Sequence, residues 1–509
     1  MLAKIESRAI YGISAYRIDV EVDITRGIPN FSIVGLPDTG CRESSKRVIT
    51  ALRNSGYDLP SMRITVNLAP AYVRKEGSIY DVAIALGILT AMKKIDCDSV
   101  KDKVVCGELS LDGTMQPVRG ALCIADGLRG QKDKEMIVPF DNLIEVSAIK
   151  GVRISGARTL NELAAYLVEG RSLPDAGSLK ENTRRCAEKS LDFSEIKGNG
   201  CAKRAIEVAA AGAHNIILIG PPGVGKTMLG KRLPTILDEL SMDESIETSK
   251  IYSVAGMLGK RRLIRRPPFR ILHQTISGAG AVGGGSIIRP GEISLSHNGV
   301  MFLDETAEFR RDVLESLRQP LEEGLIRLRR ANMSVTYPAE FMLVAAMNPC
   351  PCGFLTHPEK TCSCTPPQVQ KYLSKISGPL LDRIDMHIEV QPVRYEQMRE
   401  KRAGEASQVI RERVKKARAL QARRYSRHKF RFNAKLPHRF INEVCSITDE
   451  AADLLKKAMV ELFISARAYD KILRVARTIA DLDGRLIIGV DEISEAVGYR
   501  SLDTKSWLM

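Results

Sequence analysis

The chain is poor in aromatic side chains, which make up 5% of its 509 residues and include a single tryptophan. A platform of stacked bases, of the kind single-strand binders build, is therefore disfavoured, and any bound nucleic acid is expected to be held by its backbone. Cysteine is scarce as well. Eleven residues are far from a disulfide scaffold, and in a reducing compartment they are free thiols or metal ligands. Long apolar runs are missing. The longest, VAIALGILTAM from Val82 to Met92, has eleven residues, about half of the ~20 that a membrane-spanning helix needs. The opening MLAKIESRAIYG lacks the apolar centre of a secretory signal. Together these absences predict a soluble cytoplasmic protein with no membrane partner.

What is present fits a globular chain of two to four domains at ~100–200 residues each. Hydrophobic residues make up 44% and charged residues 27%. Lysine and arginine number 76 against 61 acids, a formal charge of +15 that points to anionic partners. Composition divides the chain into regions. Residues 1–170 alternate short β-rich runs with apolar helical stretches; Ile64–Leu68 and Lys103–Cys106 read as strands, and Ser78–Met92 reads as a helix. Residues 171–190 are polar and read as a linker. From 191 to 392 apolar strands alternate with helical segments, the pattern of an α/β domain with a parallel sheet. Residues 393–509 are helix-patterned and basic.

The second region carries the chemistry. Gly220-Pro221-Pro222-Gly223-Val224-Gly225-Lys226-Thr227 fits the phosphate-loop pattern GxxxxGK[ST]. It follows an apolar strand, 215–219, and precedes a helical run read as Met228–Leu240. The glycines let backbone N–H groups turn inward around phosphates, and the following helix adds its dipole. Lys226 would neutralise the β- and γ-phosphates of ATP, and the Thr227 hydroxyl would bind Mg²⁺. Another apolar strand ends at Asp304-Glu305, 78 residues after Lys226. Carboxylates at such a strand end are costly unless a charge meets them. Mg²⁺ on Asp304 supplies that charge, and Glu305 would orient and deprotonate the attacking water. A third strand, Phe341–Met347, ends at Asn348, a polar tip suited to positioning water.

With these residues in place a family is recognisable. The runs GEISLSHNGVMFLDE (291–305), LRQPLE (317–322), AMNPCPCG (346–353) and GPLLDRID (378–385) closely resemble the magnesium-chelatase-like AAA+ ATPases, and within them the ComM/YifB group. The resemblance covers nearly the whole chain. It implies a hexameric ring and, for this group, a helicase that drives branch migration when transforming DNA is integrated, with recombination proteins as potential partners. It also assigns roles. Asn348 matches sensor 1, and Arg383 matches the arginine finger that reaches the neighbouring subunit's γ-phosphate. Arg467, in SARAYDKILR, matches sensor 2, with Arg474 and Arg477 as competitors that otherwise read as surface charge. Residues 192–198 fall where such ATPases hold adenine. Residues 260–270, with six positive charges in eleven, precede the glycine-rich 278–285, where related ATPases carry a pore-facing insert. Arg327, Arg329 and Arg330 fall in the expected pre-sensor hairpin. The functional reading of these arginines is DNA-backbone contact; the alternative is solvated surface charge.

Further features stand beside the resemblance. Residues 394–431 hold fourteen Lys/Arg against four Glu, mostly on a helical pattern from Glu396 to Arg424, and this stretch is expected to bind nucleic-acid backbone with little sequence specificity. Cys350, Cys352, Cys362 and Cys364 form two CxC pairs that would close a tetrahedral zinc site, with His357 as a substitute ligand and free thiols as the alternative. The segment Gly107–Leu122 resembles the proteolytic domain of Lon, a fold of the ribosomal S5 type, but Leu122 stands where the lysine base belongs and Ile79 where the nucleophile belongs, with Ser78 one place off. Proteolysis is therefore not expected.

The expectation is an α/β multidomain protein. It comprises a Lon-like α+β domain (1–170), an AAA+ P-loop core (191–392) and a basic helical lid (393–509), acting as a Mg²⁺-dependent ATPase and hexameric DNA motor. The alternative is a chelatase-type or protein-remodelling ATPase that does not translocate DNA.

Overall fold

Alternating apolar and polar residues near the start of the chain fold into a long antiparallel ribbon, β1 (Leu2–Tyr11) and β2 (Ser14–Arg26), turned at Gly12 with φ +64°. The computed structural model describes residues 2–178, 191–285, 288–330, 333–393, 395 and 404–500; most of the expected linker, 179–190, lies outside them. The ribbon centres a mixed seven-stranded sheet completed by β3 (Asn30–Val34), β4 (Met62–Ala69), β5 (Lys103–Val105), β6 (Glu135–Pro139) and β7 (Arg153–Ala157), in the order β3-β4-β2-β1-β5-β6-β7. Helix α1 (Thr39–Asn54) starts from an Asp38 cap, and α2 (Asp81–Ala91) lies beneath the ribbon. Every residue of α2 is buried, as expected of a helix that is apolar all round.

The core of this first unit does not stop at its own sequence. It takes in Ile246, Ile251, Tyr252, Leu258, Ile264 and Leu295 from the central region. Most belong to α5 (Met242–Ala255) and the chain just after it, which pack on α3 (Ala121–Gly127). The Glu145 carboxylate, buried between the two units, accepts from Ser253 Oγ at 2.6 Å.

The central unit is a five-stranded parallel sheet formed by β8 (Ile216–Ile219), β9 (Phe269–Leu272), β10 (Gly299–Leu303), β11 (Phe341–Met347) and β12 (Met386–Glu389), ordered β9-β10-β11-β8-β12. Strands β8, β10 and β11 are buried throughout, so their near-continuous apolar runs are those of a parallel sheet covered on both faces. A two-stranded hairpin, Leu325–Arg330 with Met333–Pro338, precedes β11.

The carboxyl-terminal unit is helical: α6 (Ser407–Arg424), α7 (Asp449–Glu461), α8 (Ala466–Leu482) and α9 (Val490–Gly498). Two helix expectations are corrected. The helix after the phosphate loop, α4 (Lys226–Arg232), ends at Arg232, because Pro234 cannot continue it and a 3₁₀ turn over Leu233–Ile236 follows. The long basic helix begins at Ser407, not Glu396. Residues 404–406 are not helical, and 396–403 lie outside the described residues.

Candidate nucleotide site

Parallel strands deliver their ends to one edge, and three neighbouring strands place polar residues there. The loop Gly220–Gly225 follows β8, Asp304 and Glu305 follow β10, and Asn348 follows β11. Gly223 and Gly225 adopt φ of +83° and +91°, and a Cβ on Gly220 would stand 2.3 Å from the Val390 carbonyl oxygen, so the turn demands glycine. Lys226 opens the following helix, Lys226–Arg232, and folds back over the loop. Its ammonium donates to the carbonyls of Gly220 (2.6 Å) and Pro221 (2.8 Å) and to Asn348 Oδ1 (3.1 Å). Burial pushes Lys226 down to about 8, against the opposing pull of Asp304 and Glu305.

Thr227 Oγ1 donates to Asp304 Oδ2 at 2.8 Å. Adjacent oxygen ligands of an octahedral Mg²⁺ at 2.0–2.1 Å stand about 2.9 Å apart, so this pair fits the ion. Glu305 is held in the left-handed region (φ +51°), and its Oε2 accepts from Gln274 Nε2 at 2.5 Å. The sequence gives no warning of Gln274, which sits in an unpatterned turn and meets Glu305 only through the pairing of β9 with β10. Asp192, in the segment expected to hold adenine, accepts N–H groups of Ser194 and Ser407 and so ties the helical unit to the loop side of the sheet.

Arg383 and Arg467 are not at this edge. The Arg383 carbonyl accepts from Asn215 Nδ2 at 2.9 Å, and Asn215 immediately precedes β8. The six residues from Asn215 to Gly220 span about 16 Å of extended chain, which separates Arg383 from the phosphate loop of its own chain by the length of a strand. Its guanidinium pairs with Glu322. Arg467, 79% exposed, reaches Asp382 Oδ2 at 3.3 Å. Both line a cleft of about 430 Å³ with Glu322, Asp470, Lys471 and Arg474. Arg477 is not surface charge: it is buried, pairs with Asp481 at 3.1 Å and donates to the carbonyls of Arg485 and Leu486.

The loop leaving Asn348 gathers its four cysteines. Sulfur separations of 3.4 Å (Cys350–Cys352), 3.5 Å (Cys352–Cys362) and 3.7 Å (Cys350–Cys362) lie close to the ~3.8 Å between ligands of tetrahedral zinc at 2.3 Å. Cys364 Sγ accepts from the Cys352 N–H at 3.3 Å, and all four sulfurs lie within 4.8 Å of one another. The donor set therefore suits zinc. His357 is not part of this group: the ligand atoms brought together are the four sulfurs, and its Nδ1 accepts N–H groups of Glu359 and Lys360. The cluster rests on the phosphate loop: a Cβ on Gly353 would stand 2.7 Å from Pro222 Cδ, a contact the sequence does not reveal.

Several arginines read as nucleic-acid contacts are committed within the chain. On α6, Arg411 donates to the Thr235 carbonyl, Arg413 pairs with Glu207 and Glu405, Arg418 donates to the Ala210 carbonyl, and Arg424 pairs with Asp481 at 2.5 Å. In the 260–270 stretch, Arg262 donates to the Ser147 carbonyl at 2.6 Å and Arg270 makes a two-point pair with Glu292, turning this part of the stretch onto the protein. Arg327 pairs with Glu323 at 2.7 Å; Arg329 is exposed, and the side chain of Arg330 lies outside the described residues. In the first unit Leu122 is buried, Ile79 is nearly so, and Ser78 donates to Glu108. A lysine base has no counterpart at these positions.

Comparison with known proteins places these features. Residues 192–398 match the family model for magnesium chelatase, subunit ChlI; residues 20–142 match that for subunit ChlI of Mg-chelatase; and residues 404–500 match that for the ChlI C-terminal region. The chain is 41% identical over 505 residues to competence protein ComM of Haemophilus influenzae, covering 98% of each. It is 40% identical over 504 residues to YifB of Escherichia coli, covering 99% of this chain and 97% of that one. Identity to the magnesium-chelatase 38 kDa subunit of Rhodobacter capsulatus is 25% over 175 residues, 31% of this chain and 50% of the other.

Proposed function

This chain belongs to the magnesium-chelatase ChlI-like AAA+ family, in the ComM/YifB group, and from that premise we propose that it is a Mg²⁺-dependent ATPase that works as a hexameric ring and moves along DNA, promoting branch migration as transforming DNA is integrated. One observation carries the catalytic part. Lys226, Thr227, Asp304, Glu305 and Asn348 share one sheet edge while Arg383 and Arg467 share a cleft at the other, so a complete site needs two subunits. Lys226 neutralises the phosphate oxygens of ATP. Thr227 and Asp304 hold Mg²⁺, which when bound screens the charge developing on those oxygens. Glu305 takes the proton of the attacking water, and Asn348 orients that water. Arg383 of the neighbouring subunit places a cation on the γ-phosphate, a contribution of ~10³–10⁵ in rate, and Arg467 accompanies it. Cys350, Cys352, Cys362 and Cys364 would hold zinc, which would fix the Asn348–Gly353 turn against Pro222. The Lon-like first unit acts as a scaffold without peptidase chemistry.

Support for DNA as the substrate comes from the full-length similarity to ComM and the charge of +15. The inward-facing arginines of α6 favour the second reading, a chelatase-type or protein-remodelling ATPase without translocation. A three-strand branch-migration assay with ATP separates them. ATP-driven exchange that is lost in Lys226→Ala and Glu305→Gln supports the DNA motor. ATPase activity indifferent to single-stranded, duplex and branched DNA at low salt would instead support the second reading.

A further inference from the structure

We infer that Lys471 and Arg500, two buried cations of the helical unit, are positioning residues that set the turn from which Arg383 reaches the neighbouring subunit's triphosphate; this rests on the two-subunit ATPase reading above. Arg383 stands just past a short helix, Gly378–Leu381. Its turn is closed by the Asp382 N–H on the Gly378 carbonyl (2.8 Å) and the Arg383 N–H on the Leu380 carbonyl (2.9 Å). Backbone carbonyls buried beyond a helix end need donors. Here side chains from elsewhere in the chain serve four in succession. Asn215 Nδ2 donates to the carbonyl of Arg383 at 2.9 Å. Lys471 Nζ donates to those of Asp382 and, at 2.9 Å, Ile384. Arg500 Nη1 donates to those of Ile384 (2.8 Å) and Asp385 (3.2 Å).

Both cations are buried, and desolvating such groups is costly unless they are paired. Lys471 also stands 3.9 Å from the Asp385 carboxylate, which accepts from the Asn215 N–H at 2.9 Å. Charge-assisted hydrogen bonds of this kind are stronger than neutral ones, so the turn is held firmly. It is held from two places. Lys471 lies one turn along α8 from Arg467, which meets Asp382 Oδ2 at 3.3 Å. Arg500 follows α9, where the Tyr499 carbonyl accepts from the His387 N–H at 2.6 Å. The Arg383 guanidinium, held here by Glu322 and by the Pro379 carbonyl at 2.6 Å, leaves those partners to meet a phosphate. The clasped carbonyls fix the backbone from which it swings. A misplacement of about 1 Å in such a group costs on the order of 10²-fold in rate.

The test measures steady-state ATP hydrolysis by the full chain, alone and in equimolar mixtures of variants. Lys471→Met, which keeps much of the volume and removes the charge, is expected to lower kcat about ten- to hundredfold with KM for ATP unchanged. Arg500→Met should do the same more mildly. Mixed with Lys226→Ala, whose finger turn is intact, Lys471→Met should recover about a quarter of wild-type turnover, because one interface in four then joins a sound loop to a sound finger. Mixed with Arg383→Ala it should not exceed its own activity. A variant that merely misfolds would fail in both mixtures, so that result overturns the positioning role. Recovery with Arg383→Ala, or wild-type kcat in both Lys471→Met and Arg500→Met, overturns it as well, and leaves the two-subunit reading standing wherever Lys226→Ala and Arg383→Ala restore each other. Failure of that reference mixture, or no turnover in the wild type, overturns both.

Discussion

Raising the pH from 7 to 9.5 should weaken nucleotide binding by about 30-fold through Lys226 alone. In the unliganded chain burial brings this ammonium to about 8, below its ordinary 10.5. It is then about nine-tenths charged at pH 7 and only a few per cent charged at pH 9.5. A bound triphosphate favours the charged form, so above pH 8 each pH unit subtracts about 1.4 kcal/mol from binding while the lysine is being recharged. The phosphate itself does not confuse the reading, since its last proton leaves near pH 6 to 7. Calorimetry in buffers of different ionisation enthalpy at pH 8.5 should record uptake of about three-quarters of a proton per nucleotide. Lys226→Arg, whose guanidinium stays charged throughout, should bind with little pH dependence. The unliganded fold should respond in the opposite sense. Its lysine binds fewer protons than the unfolded chain between about 8 and 10.5, so stability rises with pH across that window by up to ~3 kcal/mol. Affinity that stays flat from pH 7 to 9.5, or falls in parallel in Lys226→Arg, would refute the reasoning.

Three further outcomes are open to direct measurement. Lys226→Ala and Arg383→Ala should each be inactive alone, yet an equimolar mixture should regain about a quarter of wild-type turnover, because one interface in four joins an intact loop to an intact finger; no recovery in a coupled-enzyme assay would place both residues in one subunit. Protein purified without chelators should carry one zinc per chain by elemental analysis, and Cys352→Ser should lose it; absence of stoichiometric zinc in the wild type would leave the cluster as free thiols. Asp481, buried and accepting from Arg424, Arg477 and Asn433, should destabilise the fold by about 3–5 kcal/mol in denaturant titrations when changed to Ala, since it leaves buried cations unpaired; a loss below 1 kcal/mol would mean that the network contributes little.

Much of the central unit could be read from the sequence because parallel strands buried on both faces leave continuous apolar runs, and their polar residues stand where the runs stop. Asp304 and Asn348 are visible for that reason. What the sequence hides is set by neighbours in space. Gln274 meets Glu305 only because β9 pairs with β10, and Gly353 meets Pro222 only because β11 lies beside β8. The reach of the first core into residues 246–264 is hidden for a related reason: the buried side of α5 mixes Ser245, Thr248, Ser249 and Ser253 with Ile246, Ile251 and Tyr252, so no apolar stripe marks the face that another unit covers. The early end of the helix after the phosphate loop was, by contrast, signalled locally by Pro234.

Charge is where composition misleads most, and the cause is chemical. A phosphate oxygen and a helix-terminal carbonyl are both acceptors for a guanidinium, so a run of arginines cannot tell one from the other. Helix Gly200–Gly212 ends with unpaired carbonyls, as every helix does. Arg418 and Gln421 of α6 donate to two of them, on Ala210 and Ala211, and Arg411 meets the Thr235 carbonyl within the 3₁₀ turn Leu233–Ile236. Arg413 and Arg424 are neutralised by carboxylates. These side chains fasten the helical unit to the sheet. The excess of ten charges over 394–431 would give a plot of log affinity against log salt a slope near −9 if all of it met duplex phosphates. With Arg411, Arg413, Arg418 and Arg424 withdrawn, the slope contributed by this region should be no steeper than about −5. Anisotropy titrations of labelled duplex DNA, comparing the wild type with a variant carrying Lys415→Ala, Lys416→Ala and Arg423→Ala on the exposed face of α6, should show the shallower slope, reduced further in the variant. A slope near −9 would put the packed arginines on phosphates, and the attachment of α6 to the sheet would have to open when DNA binds.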